Sequence, residues 1–132
     1  MNDVVTMLLA GGRGSRLNVL ADRRAKPAVP FAGNYRIIDF ALTNVMKSGL
    51  SKVGVLTQYR PLALTDHLSD GAAWDLLGRK RLIRVLPPFT GGRENEWYRG
   101  TADAVRQNLD FIRRFAPKQV LILSGDHIYD MD

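Results

Sequence analysis

The chain has 132 residues, enough for one buried core, and its 45% hydrophobic and 24% charged residues are typical of an ordinary globular domain. No apolar run approaches the roughly 18 residues of a membrane span, the N-terminus lacks a secretory signal pattern, and the absence of cysteine excludes disulfides, thiolate metal sites and a cysteine nucleophile. The composition therefore indicates a globular domain without a membrane anchor in a reducing, cytoplasmic compartment.

The first half of the chain alternates strand and helix patterns. Residues 4–10 form a continuous apolar run ended by two glycines, which predicts a parallel strand buried on both faces. Asp39 is predicted to cap a helix that stops at Ser48 and Gly49. Residues 52–57 predict a second strand. The apolar stripe of the predicted helix is Ala41, Leu42, Val45 and Met46.

The second half continues the alternation. A short helix is predicted over 61–68 and a weaker strand over 81–86, while the prolines and glycines of 87–100 predict a loop. Residues 119–124 are the most strand-like segment of the chain. A helix that begins at residue 101 and ends before residue 117 is predicted from the apolar stripe Ala102, Val105, Leu109 and Ile112.

This order of elements predicts an α/β fold, with a Rossmann-like, mainly parallel sheet and helices on both of its faces. Residues 1–132 show no internal repeat and no evident domain boundary. Such sheets bind ligands at the carboxyl ends of their strands, where the loops 11–16 and 125–130 are expected to meet.

The first of these loops is rich in glycine. Gly11, Gly12 and Gly14 allow the backbone to turn tightly and to present its amides to an anion. The loop matches neither the dinucleotide fingerprint nor the P-loop. A bare glycine turn more often does no more than end a strand. Here, however, Arg16 and Lys26 could neutralise the charge on a departing pyrophosphate, so the cluster predicts a triphosphate site.

The net charge of +6 is concentrated around the same loop. Between residues 11 and 36 six cations stand against the single anion Asp22, which accounts for five of the six net positive charges. We therefore expect a compact polyanion as the ligand. The cations are Arg13, Arg16, Arg23, Arg24, Lys26 and Arg36.

A carboxylate follows the last predicted strand. Asp126 is expected at the carboxyl edge of the sheet, on the same side as the glycine loop. An isolated aspartate in that position is more often a turn residue, but beside a triphosphate loop it predicts a ligand for Mg²⁺. Asp130 and Asp132 are interpreted as a solvated end. His127 and His67 are assigned no catalytic role.

Several motifs resemble bacterial ADP-glucose pyrophosphorylases, over nearly the whole chain. They are residues 9–17, 24–31, 35–44, 55–59, 97–105 and 123–129. The glycine loop alone indicates only the wider sugar nucleotidyltransferase superfamily, whereas 24–29 together with 97–104 is specific to the ADP-glucose branch. The resemblance implies the nucleotide-diphospho-sugar transferase fold. It also implies that residues 1–132 are the N-terminal portion of a catalytic domain, whose remainder and a β-helix domain lie outside this sequence.

The resemblance assigns roles to individual residues. Arg16 and Lys26 would act on the triphosphate, Tyr98 would lie by the glucose, and Asp126 would hold the catalytic Mg²⁺ with a second aspartate from outside the sequence. The nucleotide would be contacted by Leu9, Ala10, Gly11, Gly12, Gly14, Gly100 and Thr101.

The family also binds phosphorylated effectors such as fructose 1,6-bisphosphate and AMP in a basic cleft. Arg23 and Pro30 depart from the lysine and histidine of the enteric enzymes, so the identity of the effector is not implied. Gln58 and Trp97 match positions that pass the activation signal to the active site. The positions that match the cleft are Arg23, Arg24, Arg36 and Arg114.

The implied reaction transfers adenylyl from ATP to glucose 1-phosphate for glycogen or starch precursor synthesis, in a full-length homotetramer under allosteric control. The isolated 132 residues are expected to be inactive, because sugar-phosphate and metal residues lie outside them. Three alternatives stay open: a related sugar-1-phosphate nucleotidyltransferase, a non-catalytic regulatory subunit that binds nucleotide or effector, and a nucleic-acid-binding domain. Nucleic acid is not expected as a partner, because the basic run 79–81 has only Trp74 nearby as a stacking platform.

Overall fold

A computed structural model of the chain describes residues 3–11, 26–31, 33–58, 62–68, 73, 82–88 and 98–128. Within these ranges it contains six strands, four helices and one 3-10 turn. In chain order they are β1 (Val4–Leu9), the 3-10 turn (Lys26–Ala28), β2 (Pro30–Phe31), β3 (Tyr35–Arg36), α1 (Ile37–Lys47), β4 (Lys52–Leu56), α2 (Leu62–Leu68), β5 (Leu82–Leu86), α3 (Thr101–Gln107), α4 (Leu109–Arg113) and β6 (Gln119–Ser124).

Four strands form one sheet in the order β5-β4-β1-β6, and every neighbouring pair in it is parallel. The first strand therefore lies in the middle, with Leu9 opposite Leu56 of β4 on one side and Ser124 of β6 on the other. This register brings the carboxyl ends of β1, β4 and β6 to the same edge. The predicted parallel sheet is confirmed.

Helices cover both faces of this sheet, because the side chains of each strand alternate between two apolar clusters. Leu8 and Val55 pack with α1 and α2 on one face, which also receives Ala28 of the 3-10 turn. Met7 and Leu56 pack with α3 and α4 on the other face. The first strand is buried on both faces, as its unbroken apolar pattern predicts.

Helix α1 begins three residues earlier than its sequence pattern predicts. Arg36 is the residue that caps it, and Asp39 lies in the first turn, where its carboxylate accepts a hydrogen bond from the Arg36 amide at 2.7 Å. Met46 is exposed, so it does not belong to the buried stripe. The stop signal is confirmed, because Ser48 ends the helix and Gly49 adopts a φ of 68°, a left-handed conformation that suits glycine.

The helix predicted after residue 101 is two helices instead of one. The break lies at Asn108, whose side-chain amide donates to the Ala104 carbonyl and to the Tyr98 hydroxyl, both at 2.9 Å. An asparagine side chain that bonds the local backbone competes with regular helix. The predicted stripe is wrong in part, because Ala102 is exposed whereas Phe111 is buried.

Two small elements have no counterpart in the sequence predictions. Strands β2 and β3 form a two-residue antiparallel hairpin, in which Phe31 pairs with Tyr35. The 3-10 turn that precedes it is closed by a bond from the Val29 amide to the Lys26 carbonyl. Among the described residues, no helix has the length and apolar character to cross a membrane.

Candidate functional site

Three strand ends define a site at the carboxyl edge of the sheet. The Gly125 amide donates to the Leu9 carbonyl at 2.9 Å, and the Ala10 amide donates to the Leu56 carbonyl at 2.8 Å. These bonds prolong the pairing of β1 with both neighbours by one step. The start of the glycine loop and the turn that carries Asp126 therefore lie side by side, as the sequence predicts.

A pocket opens at this edge, between the strand ends and the beginning of α3. Five predicted nucleotide or sugar residues and the predicted metal ligand line it together with side chains from β4, α3 and the 3-10 turn. The lining residues are Leu9, Gly11, Pro27, Leu56, Gln58, Tyr98, Gly100, Thr101, Ala104, Ser124 and Asp126.

Two predicted catalytic residues form an ion pair beside this pocket. The ammonium of Lys26 donates to Oδ2 of Asp126 at 2.9 Å, and about a third of each side chain remains exposed. Lys26 belongs to the 3-10 turn, whereas Asp126 follows β6, so residues far apart in the sequence meet through the fold. Both charges remain accessible to a ligand that enters the pocket.

Ser124 holds the other carboxylate oxygen of Asp126. Its hydroxyl donates to Oδ1, while His127 lies 3.9 Å from the same oxygen. The pKa of Asp126 is lowered from its ordinary value, chiefly by the Ser124 hydroxyl and then by Lys26, although partial burial opposes the shift. Asp126 is therefore an anion at neutral pH.

Tyr98 closes the pocket from the side of α3. Its ring is buried, and its hydroxyl donates to the Leu86 carbonyl at 3.1 Å and accepts from the Asn108 amide. Burial raises the pKa of Tyr98, so the phenol stays neutral. The ring can pack against a ligand, while both of these hydrogen bonds already tie its hydroxyl to the protein.

The loop of Tyr98 is held by α3 and by β4. The Arg99 amide donates to the Asp103 carboxylate at 3.0 Å, and Gln58 donates from its side chain to the Tyr98 carbonyl at 3.4 Å. The Asp103 pKa is lowered, first by the Arg99 amide and then by Arg106. These contacts fix Gly100 and Thr101 at the entrance of the pocket.

Other residues that were predicted to contact the nucleotide are buried, closely packed or outside the described part of the chain. Ala10 is fully buried in the core, and its amide already donates to the Leu56 carbonyl. Gly11 lies so near Gln58 that a Cβ added to it would come within 3.2 Å of the Gln58 Cβ. Five predicted site residues lie outside the described residues: Gly12, Gly14, Arg16, Arg23 and Arg24.

The two described effector residues lie on segments that pack against opposite faces of the sheet. Arg36 immediately precedes α1, and its guanidinium donates to the Ala28 carbonyl. Arg114 ends α4 and is exposed. The described part of the chain does not join them in one cleft, so their common role stays a prediction.

The sequence predictions did not include several residues of the site. Leu56 and Ala104 are ordinary apolar positions in their elements, so no local signal distinguishes them. Ser124 carried a usable signal, because a serine two residues before an aspartate in a turn is well placed to bond its side chain.

Comparisons with known proteins show the family of the chain. A model of the nucleotidyl transferase family matches residues 5–132. A glucose-1-phosphate adenylyltransferase of Clostridium beijerinckii is 56% identical over 131 residues, which cover 99% of this chain and 34% of that protein. One of Thermotoga maritima is 54% identical and is matched by the whole chain over 31% of its length. The chain thus spans about a third of the length of these relatives.

A solved structure supports the fold. A protein described as a glucose-1-phosphate thymidylyltransferase from Bacillus anthracis aligns with a TM-score of 0.75 at 20% identity, over 98% of this chain and 46% of that one. The fold therefore agrees with the family match, which extends over residues 5–132. The chain belongs to the nucleotidyl transferase family.

Proposed function

We propose that the protein to which this chain belongs transfers the adenylyl group of ATP to glucose 1-phosphate, which yields ADP-glucose and pyrophosphate. The observation that carries the proposal is the Lys26–Asp126 ion pair, whose carboxylate lines the same pocket as Gly11. The relatives named as glucose-1-phosphate adenylyltransferases give the choice of nucleotide and sugar.

In this reaction an oxygen of the glucose 1-phosphate attacks the α-phosphorus of ATP. A new phosphorus–oxygen bond forms while the bond to the β-phosphate breaks and pyrophosphate departs in line. The nucleophile is already an anion, so no strong general base is required. The work of the protein is to align two polyanions and to offset their charge.

The residues of this chain divide that work. Gly11 and the following loop offer backbone amides to the triphosphate, and Lys26 and Arg16 balance the charge that grows on the leaving pyrophosphate. Gly100 and Thr101 border the nucleoside, and the Tyr98 ring packs by the glucose. The Tyr98 hydroxyl already bonds to the Leu86 carbonyl and the Asn108 amide, so Tyr98 contributes to sugar binding through the shape of its ring.

Asp126 fits the role of a magnesium ligand. It is an ionised carboxylate, partly exposed, at the edge of the pocket, and hard oxygen donors of this kind suit Mg²⁺, which retains several waters and shares substrate phosphates. The ion would shield the phosphate charges when bound. Lys26 and Ser124 would then hold the carboxylate in place from either side.

We also place allosteric control by phosphorylated metabolites in this proposal, with Arg23, Arg24, Arg36 and Arg114 as the effector residues in a full-length homotetramer. Replacing Arg24 by alanine should change the response to activators more than the basal rate. An effector response identical to that of wild type would count against this assignment.

The test is product formation by the full-length protein. ATP, Mg²⁺ and glucose 1-phosphate should together yield pyrophosphate and ADP-glucose in equal amounts, with ATP preferred over other nucleoside triphosphates. Preference for another triphosphate would identify a related nucleotidyltransferase instead. Binding of ATP without pyrophosphate release would identify a non-catalytic subunit. The 132-residue chain, assayed in parallel, should give no product.

A further inference from the structure

A chain of hydrogen bonds leads from α2 to the turn that carries Lys26. It begins at His67, whose Nε2 lies 2.6 Å from Oδ1 of Asp39. The other oxygen, Oδ2, accepts the Arg36 amide at 2.7 Å, and the Arg36 guanidinium donates to the carbonyl of Ala28. Four segments of the described chain, α2, α1, β3 and the 3-10 turn, are thereby joined.

The middle of this network is buried. Asp39 is only 7% exposed, and each of its carboxylate oxygens already has a partner. A buried carboxylate with both oxygens occupied is a fixed anchor, because leaving either partner unbonded would be costly. The Arg36 backbone is therefore tied to the first turn of α1, which in turn is tied to α2 through His67.

The far end of the network is the Ala28 carbonyl, which lies in the same turn as Lys26. Ala28 is the last residue of the 3-10 turn whose first residue is Lys26, and the Val29 amide closes that turn on the Lys26 carbonyl. The side chain of Ala28 is buried with Ile38 of α1 and Leu64 of α2. The turn is thus held in place by the packing of the Ala28 side chain and by the hydrogen bond from Arg36 to the Ala28 carbonyl.

We propose that Arg36 is a positioning residue that sets the place of the Lys26 ammonium beside Asp126, and that Asp39 and His67 hold Arg36 in its working orientation. The inference rests on the proposed function, because it concerns the same reaction. It gives Arg36 a task within its own subunit besides any contact with an effector. An error of about 1 Å in a group that acts on the transition state can cost on the order of 100-fold in rate.

A double-mutant cycle in the full-length enzyme tests this. The variants are Arg36→Met, Lys26→Met and the two combined. Formation of radiolabelled ADP-glucose is measured without added effector, which gives the basal kcat, and again with a phosphorylated effector. Arg36→Met should lower kcat by roughly 10- to 100-fold. If Arg36 acts through Lys26, the same change in the Lys26→Met background should alter kcat less than about 3-fold, because the group it positions is gone.

Conservative variants separate positioning from folding. Arg36→Lys keeps a donor and Asp39→Asn keeps most of the anchor's shape and one acceptor, so both should retain more of kcat than Arg36→Met and Asp39→Ala. Arg113→Met is the matched control, since this exposed arginine lies in α4, which packs against the other face, and should leave kcat unchanged. If Arg36→Met does not fold, the cycle is run with Arg36→Lys and with Asp39→Asn.

The outcomes are distinct. If Arg36→Met lowers kcat by the same factor with Lys26 present and with Lys26 replaced, the positioning role is overturned. The proposed function still stands in that case, provided that the wild-type enzyme makes ADP-glucose. If wild type makes no ADP-glucose, the proposed function fails and the positioning role for this reaction falls with it. A change confined to the effector response, with unaltered basal kcat, would also overturn the positioning role and favour an effector ligand.

Discussion

The ammonium of Lys26 lies 2.9 Å from the carboxylate of Asp126, although a hundred residues separate them in the sequence. The 3-10 turn supplies the cation and the turn after β6 supplies the anion. Asp126 lines a pocket together with Leu9, the last residue of β1. Opposite charges that meet at such an edge can act on one substrate.

Asp126→Asn should abolish turnover in the full-length protein while ATP binding stays detectable. The amide is nearly isosteric but neutral, so it is a poor ligand for Mg²⁺ and leaves the Lys26 ammonium without a charged partner. We would measure product formation together with ATP binding by calorimetry. Asp110→Asn is the matched control, because that carboxylate is almost fully exposed in α4. Near-normal turnover of the Asp126 variant would remove Asp126 from the mechanism.

Lys26→Met should reduce kcat by about 10²- to 10³-fold, the loss typical of removing one preorganised donor to developing charge. The side chain keeps a similar length, so the apolar packing of the 3-10 turn through Ala28 is retained. Steady-state kinetics at saturating ATP would measure the effect. Lys118→Met serves as control, since Lys118 pairs with Asp3 at the amino edge of the sheet, away from the pocket. A Lys26 variant as fast as that control would contradict the role of Lys26.

Gly54→Ala should destabilise the fold by about 1–3 kcal/mol, the usual cost of overpacking a core. An added Cβ would lie 2.8 Å from the Leu86 Cδ1 and 2.9 Å from the Phe111 Cε1, so β5 and α4 would both have to yield. Thermal unfolding of the full-length protein would report the change. Gly100→Ala is the stability control, because an added Cβ there meets no atom within 4 Å. Equal unfolding temperatures for both variants would refute the predicted crowding.

Tyr98→Phe should lower the free energy of unfolding by about 1–3 kcal/mol, because the Leu86 carbonyl and the Asn108 amide each lose a partner. The folded-state pKa of Tyr98 is raised above the ordinary value of 10.0. The contribution of the hydroxyl is therefore fully present below pH 10 and is lost as the pH rises through the raised pKa. Denaturant titrations of wild type and the Tyr98→Phe variant should converge only at strongly alkaline pH. If the difference in the free energy of unfolding between the two proteins stays constant through strongly alkaline pH, the predicted role of the Tyr98 hydroxyl is wrong.

The sequence by itself determined the order of α1, α2 and the four strands of the parallel sheet, and it predicted the edge of the sheet at which the pocket lies. Residues 4–10 form a short apolar run that two glycines follow, which indicates a strand covered on both faces, and the strand ends at the carboxyl edge of the sheet. The strand and the turn that ends it are local features, so periodicity and turn chemistry were enough to find them. The chemistry of Lys26 and Asp126 is a prediction that rests on their match to a family pattern.

Only the tertiary structure decided how those pieces contact one another. That Asn108 splits a helix, that Tyr98 uses its hydroxyl internally, and that Arg36 holds the Ala28 carbonyl are consequences of long-range packing. The residue type does not predict such contacts, because a buried polar group bonds to whichever donor or acceptor the packing places next to it. The hydrophobic pattern determined the secondary-structure elements. The need to hydrogen-bond buried polar groups determined which groups of different elements bond to one another.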